Sequence, residues 1–521
     1  MTIRTVVVSA SLILAFAVSA EAAAAPSCES LRTMALPNVT IMAATSVPAG
    51  PFHAPAAAGA PAPPPVMLPA HCRVAAVLTP SSDSHIEIEI WMPADNWNGK
   101  FEAVGNGGWA GVITFGSGAP QAMAIPRNMA FALNEGYATA STDTGHINDG
   151  SQAKFALGHP EKLIDFGYRA VHEMTVMSKA VIAVFYGNGP RLSYWNGCST
   201  GGRQALIEAQ RFPEDFDGIV AGAPANFMTH LSAGHLTAAQ ATHQGEPGNM
   251  PIDKLRLLHD AVVRACDALD GVRDGLLRDP MRCTFNVKQL ACKGADLSAC
   301  LTPAQAEAAQ KMYDGAKSTT GEQVYPGMAL GSELGWDPVN GLQPLPISVS
   351  YFKDVVFQDS GWDYRRFNVD TDIAKADAAH AALLNAIDPN LRPFFARGGK
   401  LIQYHGWNDQ QISPFNSVNY YKSVETKLGR HDEVSKSYRL FMAPGMMHCG
   451  GGDGPNQFNP MNALERWREQ NIAPNEIIAS HVTNGVVEST RPLCPYPQIA
   501  VYSGHGSTKD AANFSCKAVG R

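Results

Sequence analysis

The sequence predicts an α/β fold in which a doubly wound sheet is interrupted by one large insertion. Short apolar segments typical of strands alternate with segments of helical spacing, first before residue 226 and again after residue 387. This alternation indicates a mostly parallel sheet with helices on both faces. The 521 residues, 45% of them hydrophobic, allow a large buried core and leave room for an added subdomain.

The predicted elements of the first half follow in chain order. Residues 86–90 alternate isoleucine with glutamate, which indicates a half-buried strand, and residues 137–141 indicate another. Residues 161–185 carry apolar side chains at helical spacing. A short strand at 192–196 then runs into a glycine-rich turn and a helix, and residues 219–221 form the next strand.

Residues 226–387 break this order with helical runs, loops and four cysteines, and we expect them to form one large insertion in the sheet domain. Strands resume at 401–404 and 438–442. The predicted catalytic domain therefore consists of residues 26–225 and 388–521, because both parts contribute strands to one sheet.

Residues 1–25 are typical of a cleaved secretory signal peptide. An apolar run from Val6 to Val18 follows Arg4, and small residues come after it. The run is too short for most membrane spans, and no later segment is apolar enough to cross a bilayer. We expect cleavage after Ala20 or Ala25 and a secreted or periplasmic protein with no membrane partner.

The charge pattern excludes one class of partner. The net charge is a modest -7, and no basic stripe or run of lysine and arginine is present, which argues against nucleic-acid binding. Oligomeric state stays open between a monomer and a homodimer.

The cysteines predict disulfides. An even number behind an export signal favours disulfide bonds over free thiols, and the absence of a Cys-x-x-Cys pair argues against a zinc ribbon or a redox motif. The ten cysteines are Cys28, Cys72, Cys198, Cys266, Cys283, Cys292, Cys300, Cys449, Cys494 and Cys516.

A nucleophile motif follows the strand at 192–196. Residues 197–201 spell Gly-Cys-Ser-Thr-Gly, which fits the G-x-S-x-G turn of an α/β-hydrolase. Such a turn exposes the hydroxyl of Ser199, and the backbone N–H of Thr200 faces the oxyanion. A plain strand-to-helix turn is the alternative, but the strand before it and the helix after it favour a nucleophile.

A serine nucleophile needs a base and an orienting carboxylate, which follow it in the order Asp, then His in this fold. Asp409 and His448 each lie in a loop just after a predicted strand. The carboxyl ends of strands are where sites of open α/β sheets collect. Each residue alone is better explained as a hydrogen-bonded loop residue, but together and in this order they predict a triad.

Two cysteines support this pairing. Cys198 precedes Ser199 and Cys449 follows His448. If the serine and histidine are within hydrogen-bonding distance, these cysteines are close enough to bridge. A Cys198–Cys449 disulfide would then connect the nucleophile turn to the loop of the base.

These motifs resemble the tannase and feruloyl esterase family, which includes the bacterial mono(2-hydroxyethyl) terephthalate hydrolase. The resemblance rests on Gly-Cys-Ser-Thr-Gly-Gly at 197–202, His-Gly-Trp-Asn-Asp at 405–409 and His-Cys at 448–449. It extends to Trp-Asn-Gly at 97–99, to the glycines of 105–111 and to nearly the whole mature chain.

The resemblance implies roles for individual residues. Ser199, Asp409 and His448 form the triad, and Gly108 supplies the second N–H of the oxyanion hole beside Thr200. His405 lies at the substrate pocket, and the insertion at 226–387 is the lid domain that shapes the acyl pocket. The cysteine pairs that the resemblance implies are Cys198–Cys449, Cys28–Cys72, Cys266–Cys283, Cys292–Cys300 and Cys494–Cys516.

An acidic turn in the lid is a candidate calcium site. Three carboxylates within eight residues, separated by glycines, suit a hard cation, although a solvated acidic turn is the better reading without the family. The resemblance implies a structural calcium ion and no organic cofactor. Its ligands would be the side chains of Asp267, Asp270 and Asp274 and the backbone carbonyls of Val272 and Leu276.

The absence of an arginine from one part of the lid narrows the range of acyl groups that we expect the protein to accept. The terephthalate relative holds a free carboxylate with a lid arginine, and this chain has no arginine between Leu301 and Tyr364. Lysine does not reproduce that bidentate geometry. The sequence therefore favours small aromatic esters of the feruloyl type over terephthalate monoesters, and plant cell walls are one possible source of such esters. Trp336 is a candidate pocket residue, as is Trp362. Gallate esters, a peptidase or lipase activity, and a non-catalytic binder of plant-wall aromatics or sugars are the alternatives.

Overall fold

The computed structural model describes residues 1–2, 26–55, 62–116, 128–243, 245–294, 298–336 and 344–518. The predicted signal peptide therefore lies almost entirely outside the described residues. Among the helices of the described residues, none combines the length and the apolar character needed to cross a membrane.

One nine-stranded sheet organises the protein. Its strands, numbered in chain order, are β1 Val39–Val47, β2 His71–Leu78, β3 Ile86–Pro93, β4 Lys100–Val104, β5 Ala138–Thr142, β6 Leu192–Cys198, β7 Gly218–Gly222, β8 Lys400–Gly406 and β9 Tyr438–Ala443. Their spatial order is β1-β2-β3-β5-β4-β6-β7-β8-β9. The pairings from β1 through β2 and β3 to β5 are antiparallel, and all pairings from β5 to β9 are parallel.

Helices cover both faces of this sheet, as the doubly wound prediction requires. Adjacent residues of β6 show the two faces: Trp195 packs into one apolar core and Tyr194 into the other. The α-helices of the described residues are α1 Met129–Asn134, α2 Pro160–Ile164, α3 Ala170–Tyr186, α4 Thr200–Arg211, α5 Met228–Thr242, α6 Ile252–Cys266, α7 Pro303–Asp314, α8 Pro346–Ser350, α9 Val369–Leu384, α10 Arg392–Ala396, α11 Pro414–Leu428, α12 His431–Val434 and α13 Pro460–Gln470.

The described residues between β7 and β8 add no strand to the main sheet. They form α5 to α10, short helical turns and one small hairpin of Ala316–Lys317 with Gln323–Tyr325. Their own apolar core contains Trp336 and is separate from the sheet cores. The predicted lid lies in this segment. Its bounds at 226 and 387 and its role as a lid both stay predictions, and lid is used only as the name of this segment.

Short hairpins complete the fold outside the sheet. They pair Gly50–Phe52 with Val66–Leu68, Ile477–Thr483 with Val486–Leu493, and Gln498–Tyr502 with Phe514–Ala518. The Cys494–Cys516 disulfide joins the last two hairpins, and Cys28–Cys72 joins the N-terminal helical turn Cys28–Thr33 to β2.

Candidate active site

Ser199 occupies a strained turn between β6 and α4. Its φ of 64° and ψ of -120° are unusual for a non-glycine residue, and strain of this kind is typical of a nucleophile elbow. The turn closes because the residues two positions before and after Ser199 are glycines: a Cβ on Gly197 would lie 2.7 Å from the backbone of Gly201. The half-buried serine is thereby presented at the carboxyl end of the sheet.

The structure brings the three predicted residues together across 249 positions of sequence. Ser199 Oγ lies 2.9 Å from His448 Nε2, and His448 Nδ1 lies 2.7 Å from Asp409 Oδ2. Asp409 follows β8 and His448 follows β9, so both loops leave the same edge of the sheet as the serine turn. The distances are those of direct hydrogen bonds.

Asp409 is fully buried and surrounded by donors. Gln411 N and Ile412 N each donate to Oδ1 at 2.8 Å. Burial by itself would raise the pKa of Asp409, but the adjacent His448 and the hydrogen bonds from His405 and His448 outweigh it and hold that pKa well below its usual range. The carboxylate is therefore charged at any pH at which the protein would work.

The Cys198–Cys449 disulfide is present, with Cα atoms 6.0 Å apart, which confirms the pairing inferred from the neighbours of Ser199 and His448. It joins the residue before the nucleophile to the residue after the base. The four other pairings implied by the family resemblance are also confirmed: Cys28–Cys72, Cys266–Cys283, Cys292–Cys300 and Cys494–Cys516.

The loop after β4 lies against the serine turn. Thr200 Oγ1 donates to the carbonyl oxygen of Gly108, which holds the two predicted oxyanion residues side by side. In the described part of the chain, neither the N–H of Gly108 nor that of Thr200 has an acceptor. Both N–H groups are therefore free to donate to a substrate oxygen, as an oxyanion hole requires.

Two polar residues, neither of them predicted from the sequence, hold this loop in place. Asn106 and Gln204 exchange hydrogen bonds: Gln204 Oε1 accepts from Asn106 N at 3.1 Å, and Gln204 Nε2 donates to Asn106 Oδ1 at 3.0 Å. Asn106 Nδ2 also donates to the carbonyl of Thr142. A lone asparagine among glycines, together with a glutamine in the first turns of α4, was the available signal.

The lid contacts both sides of the site. Trp109 Nε1, in the loop after β4, donates to the carbonyl of Ile347 at 3.0 Å. Asn408, beside the triad carboxylate, donates from Nδ2 to the carbonyl of Gly331 at 2.7 Å. The position of the lid is thus tied to both the oxyanion loop and the Asp409 loop.

The structure corrects both predicted pocket residues. His405 has no exposed surface and binds Asp409 Oδ2 from behind, because its position in β8 directs the ring under the site. Trp336 is also fully buried, with its Nε1 donating to Ser332 Oγ at 2.9 Å and its ring against Tyr313. Trp362 likewise packs in an apolar core, between aromatic rings of the lid.

The acidic turn of the lid has calcium-type donor atoms in an incomplete arrangement. Asp270 Oδ1 accepts from Val272 N, and Asp274 Oδ1 from Leu276 N, while Asp267 Oδ1 accepts from Gly275 N. Within the described residues, the one group with three candidate ligand atoms inside 4.8 Å of one another lies elsewhere. The three carboxylates therefore do not converge to the spacing of a cation's ligand shell.

Two arginines partly balance these carboxylates. Arg278 Nε lies 3.2 Å from Asp270 Oδ2, and Arg491 Nη2 lies 2.9 Å from Asp274 Oδ2. Burial raises the pKa of Asp270, and the charge of Arg278 opposes that rise. Asp267 makes no ion pair with an arginine in the described part of the chain, although Arg273 lies within the same turn.

The sheet order, the strained serine turn at its carboxyl edge and the inserted lid define an α/β-hydrolase. Residues 72–517 match the family described as tannase and feruloyl esterase, and the chain belongs to that family. Its relatives are named esterases, and the chain is a carboxylic ester hydrolase.

Two curated relatives illustrate the similarity. An uncharacterised esterase of Xanthomonas campestris is 36% identical over 545 residues, covering 95% of this chain and 92% of the relative. A probable feruloyl esterase B-2 of Aspergillus terreus is 36% identical over 470 residues, covering 85% of this chain and 86% of the relative.

Solved structures agree with the fold. Feruloyl esterase B of Aspergillus oryzae has a TM-score of 0.85 at 32% identity, covering 94% of this chain and 99% of that one. Tannin acyl hydrolase of Aspergillus niger has a TM-score of 0.75 at 22% identity, covering 92% of each chain, and supports the fold alone.

The oxyanion loop yields a testable prediction. A Cβ on Gly108, whose φ is +53°, would lie 2.2 Å from the carbonyl oxygen of Gly150. Gly108→Ala should therefore displace the loop and lower kcat for an aryl ester by about 100-fold or more, the effect of losing one oxyanion donor. Gly107→Ala is the matched control, because a Cβ there meets nothing within 4 Å, and it should retain near wild-type kcat. Equal kcat values for the two variants would contradict the prediction.

Proposed function

We propose that the protein is a secreted serine esterase that hydrolyses aromatic acyl esters, with feruloyl esters as the preferred class. The observation that carries this proposal is the continuous hydrogen-bonded arrangement of Ser199, His448 and Asp409 at 2.9 and 2.7 Å. Such an arrangement activates a serine hydroxyl for acyl transfer. The non-catalytic alternative has no support from relatives that are named esterases.

The proposed reaction has two steps. His448 Nε2 takes the proton of Ser199 as Oγ attacks the ester carbonyl, and Asp409 stabilises the imidazolium that forms. The N–H groups of Thr200 and Gly108 receive the developing oxyanion. His448 then returns the proton to the alcohol oxygen as the C–O bond breaks. Water repeats the sequence on the acyl-enzyme and releases the acid.

The preferred acyl group is inferred from the lid and from the relatives. No arginine lies between residues 301 and 364, so this part of the lid lacks the bidentate group that suits a free substrate carboxylate. Several relatives at 35–36% identity are named probable feruloyl esterases. Gallate esters and terephthalate monoesters remain the competing substrate classes.

Export fits the covalent structure. All ten cysteines are paired, which is usual for proteins that fold in an oxidising compartment. We propose that residues 1–25 direct the chain to the periplasm or the exterior, where its ester substrates would be met.

Ser199→Ala tests the nucleophile. The variant should fold normally and lose at least about 10⁴-fold in kcat/KM on a chromogenic aryl ester, because no other group on the proposed path can form the acyl-enzyme. Ser503→Ala, an exposed serine of the C-terminal hairpin, is the control and should match the wild type. Substantial activity in Ser199→Ala, with an unchanged far-UV spectrum, would remove the proposed mechanism.

A rate panel tests the substrate class. Methyl ferulate, methyl gallate and mono(2-hydroxyethyl) terephthalate are compared by kcat/KM in one buffer. Methyl ferulate should be fastest, because residues 301–364 of the lid offer no arginine to the terephthalate carboxylate. The fastest rate on methyl gallate would favour the tannase alternative. The fastest rate on the terephthalate monoester would overturn the argument from the lid arginine.

We also propose that the lid binds a structural calcium ion, with Asp267, Asp270 and Asp274 supplying side-chain oxygens and Val272 and Leu276 carbonyls. The support is the hard-oxygen donor set, in which the carboxylate of Asp267 makes no ion pair with an arginine among the described residues. No step of the reaction depends on this ion.

Calcium should raise the thermal stability of the protein. At a calcium concentration of about 100 times Kd, linkage adds about 2.7 kcal/mol, or roughly 2–3 °C in Tm for a chain of this size, relative to chelator-treated protein. Asp267→Asn should abolish this difference, whereas Asp432→Asn, an exposed carboxylate outside the turn, should preserve it. Equal Tm values with calcium and with chelator would refute the site.

A further inference from the structure

We infer that His405 is a positioning residue whose Nε2–H holds the Asp409 carboxylate in the orientation that serves His448. The inference deepens the proposed function and rests on it. It replaces the pocket role expected for His405, because a side chain with no exposed surface cannot touch a substrate.

His405 makes three polar contacts, and each is within hydrogen-bonding distance. Its Nε2 lies 3.0 Å from Asp409 Oδ2 and 3.0 Å from the carbonyl oxygen of Ile412. Its Nδ1 lies 2.7 Å from Ser417 Oγ, on α11. Both acceptors are on the Nε2 side, so the ring serves the carboxylate only when Nε2 carries the proton.

A buried chain of hydrogen bonds sets that tautomer. The hydroxyl of Tyr438 donates to Gln403 Oε1, which directs the Gln403 amide nitrogen to Ser417 Oγ at 2.7 Å. Ser417 Oγ accepts this bond and can give its own hydrogen to His405 Nδ1. With Nδ1 acting as the acceptor, a neutral His405 carries its proton on Nε2 and donates to Asp409. Strands β8 and β9 and helix α11 each contribute to this chain.

Each of the two oxygens of the Asp409 carboxylate then accepts two hydrogen bonds. Oδ1 accepts the N–H groups of Gln411 and Ile412, and Oδ2 accepts His448 Nδ1 at 2.7 Å and His405 Nε2 at 3.0 Å. One oxygen is thus shared by two imidazoles. Rotation of the carboxylate away from His448 would break the bond to His405 as well.

Losing the His405 donor should change both orientation and charge. The carboxylate would be less fixed, which lowers kcat because the base is held less well. With one hydrogen-bond donor fewer, the Asp409 carboxylate would also stabilise the protonated form of His448 more strongly. Since the reaction needs neutral His448, the acid limb of the pH profile of kcat/KM should move to higher pH.

Other titratable groups near the carboxylate do not confuse this readout. Burial lowers the pKa of His235 to about 4, and its ring binds Ser348 Oγ and the carbonyl of Gln411. Burial raises the pKa of Tyr325, and the nearby negative charge of Asp409 raises it further. Both His235 and Tyr325 therefore keep one charge state between about pH 5 and 9.

The test compares pH profiles of kcat/KM for methyl ferulate. His405→Leu should lower kcat by about 10–100-fold with KM little changed, and should shift the acid limb upward by about half a pH unit or more. His405→Gln, which keeps an N–H donor, should recover much of kcat and return the limb toward the wild-type position. Ser417→Ala leaves His405 in place but removes the donor to Nδ1, so it should shift the limb in the same direction by less.

His259→Leu is the matched control, because His259 is another mostly buried imidazole, paired with Glu333 at 2.8 Å in the lid. It should change Tm without moving the acid limb. If His405→Leu and Ser417→Ala both keep the wild-type limb, His405 is structural and the inference is overturned. If His405→Leu fails to fold, the limb of Ser417→Ala alone decides. Failure of the proposed function is separate: it would appear as a wild-type protein without esterase activity or an active Ser199→Ala variant.

Discussion

The close approach of three backbone segments at the end of β6 is the constraint on which the site depends. The loop after β4, the serine turn and the start of α4 meet without side chains between them: a Cβ on Gly105 would lie 2.6 Å from Gly201 Cα. This contact forces Ser199 into its positive φ and aims its hydroxyl out of the sheet. It also brings Gly108 beside Thr200, whose hydroxyl donates to the Gly108 carbonyl, so one packing arrangement positions the proposed nucleophile and the proposed oxyanion donors.

The second half of the site is brought to this turn covalently and electrostatically. The Cys198–Cys449 bond fixes the separation of the two loops, and the buried carboxylate of Asp409 fixes the ring of His448. The bond spans 251 residues and encloses the whole lid, so the lid can be large without separating the base from the nucleophile. Preorganised charge in a site closed to water contributes more than the same groups in solvent.

Much of this arrangement could be predicted from the sequence because it depends on local chemistry. The sequence shows directly the glycines around Ser199 and the positions of Asp409 and His448 after predicted strands. It also shows that Ser199 and His448 each have a cysteine as a neighbour. The buried strand β4 was missed because it begins with Lys100, whose charge is balanced by Glu465 and Glu469 far along the chain.

Side-chain direction was the part that the sequence could not provide. His405 lies four residues before Asp409 in a motif of functional residues, yet the alternation of β8 turns its ring beneath the site. Trp336 is a large aromatic residue in the lid, and it packs in an apolar core. Its neighbours in the sequence do not indicate whether such a residue lines a pocket or belongs to a core. Both errors concern which face of an element a residue occupies, which only tertiary packing decides.

The insertion point of the lid has a consequence for how such proteins diversify. β7 and β8 are neighbours in the sheet and are paired in register from Gly218 with Lys400 to Gly222 with Tyr404. A segment inserted between two strands that already pair can lengthen, shorten or be exchanged while the register beneath it is preserved. The sheet and its catalytic loops can therefore stay constant over evolutionary time while the inserted segment changes in length and sequence.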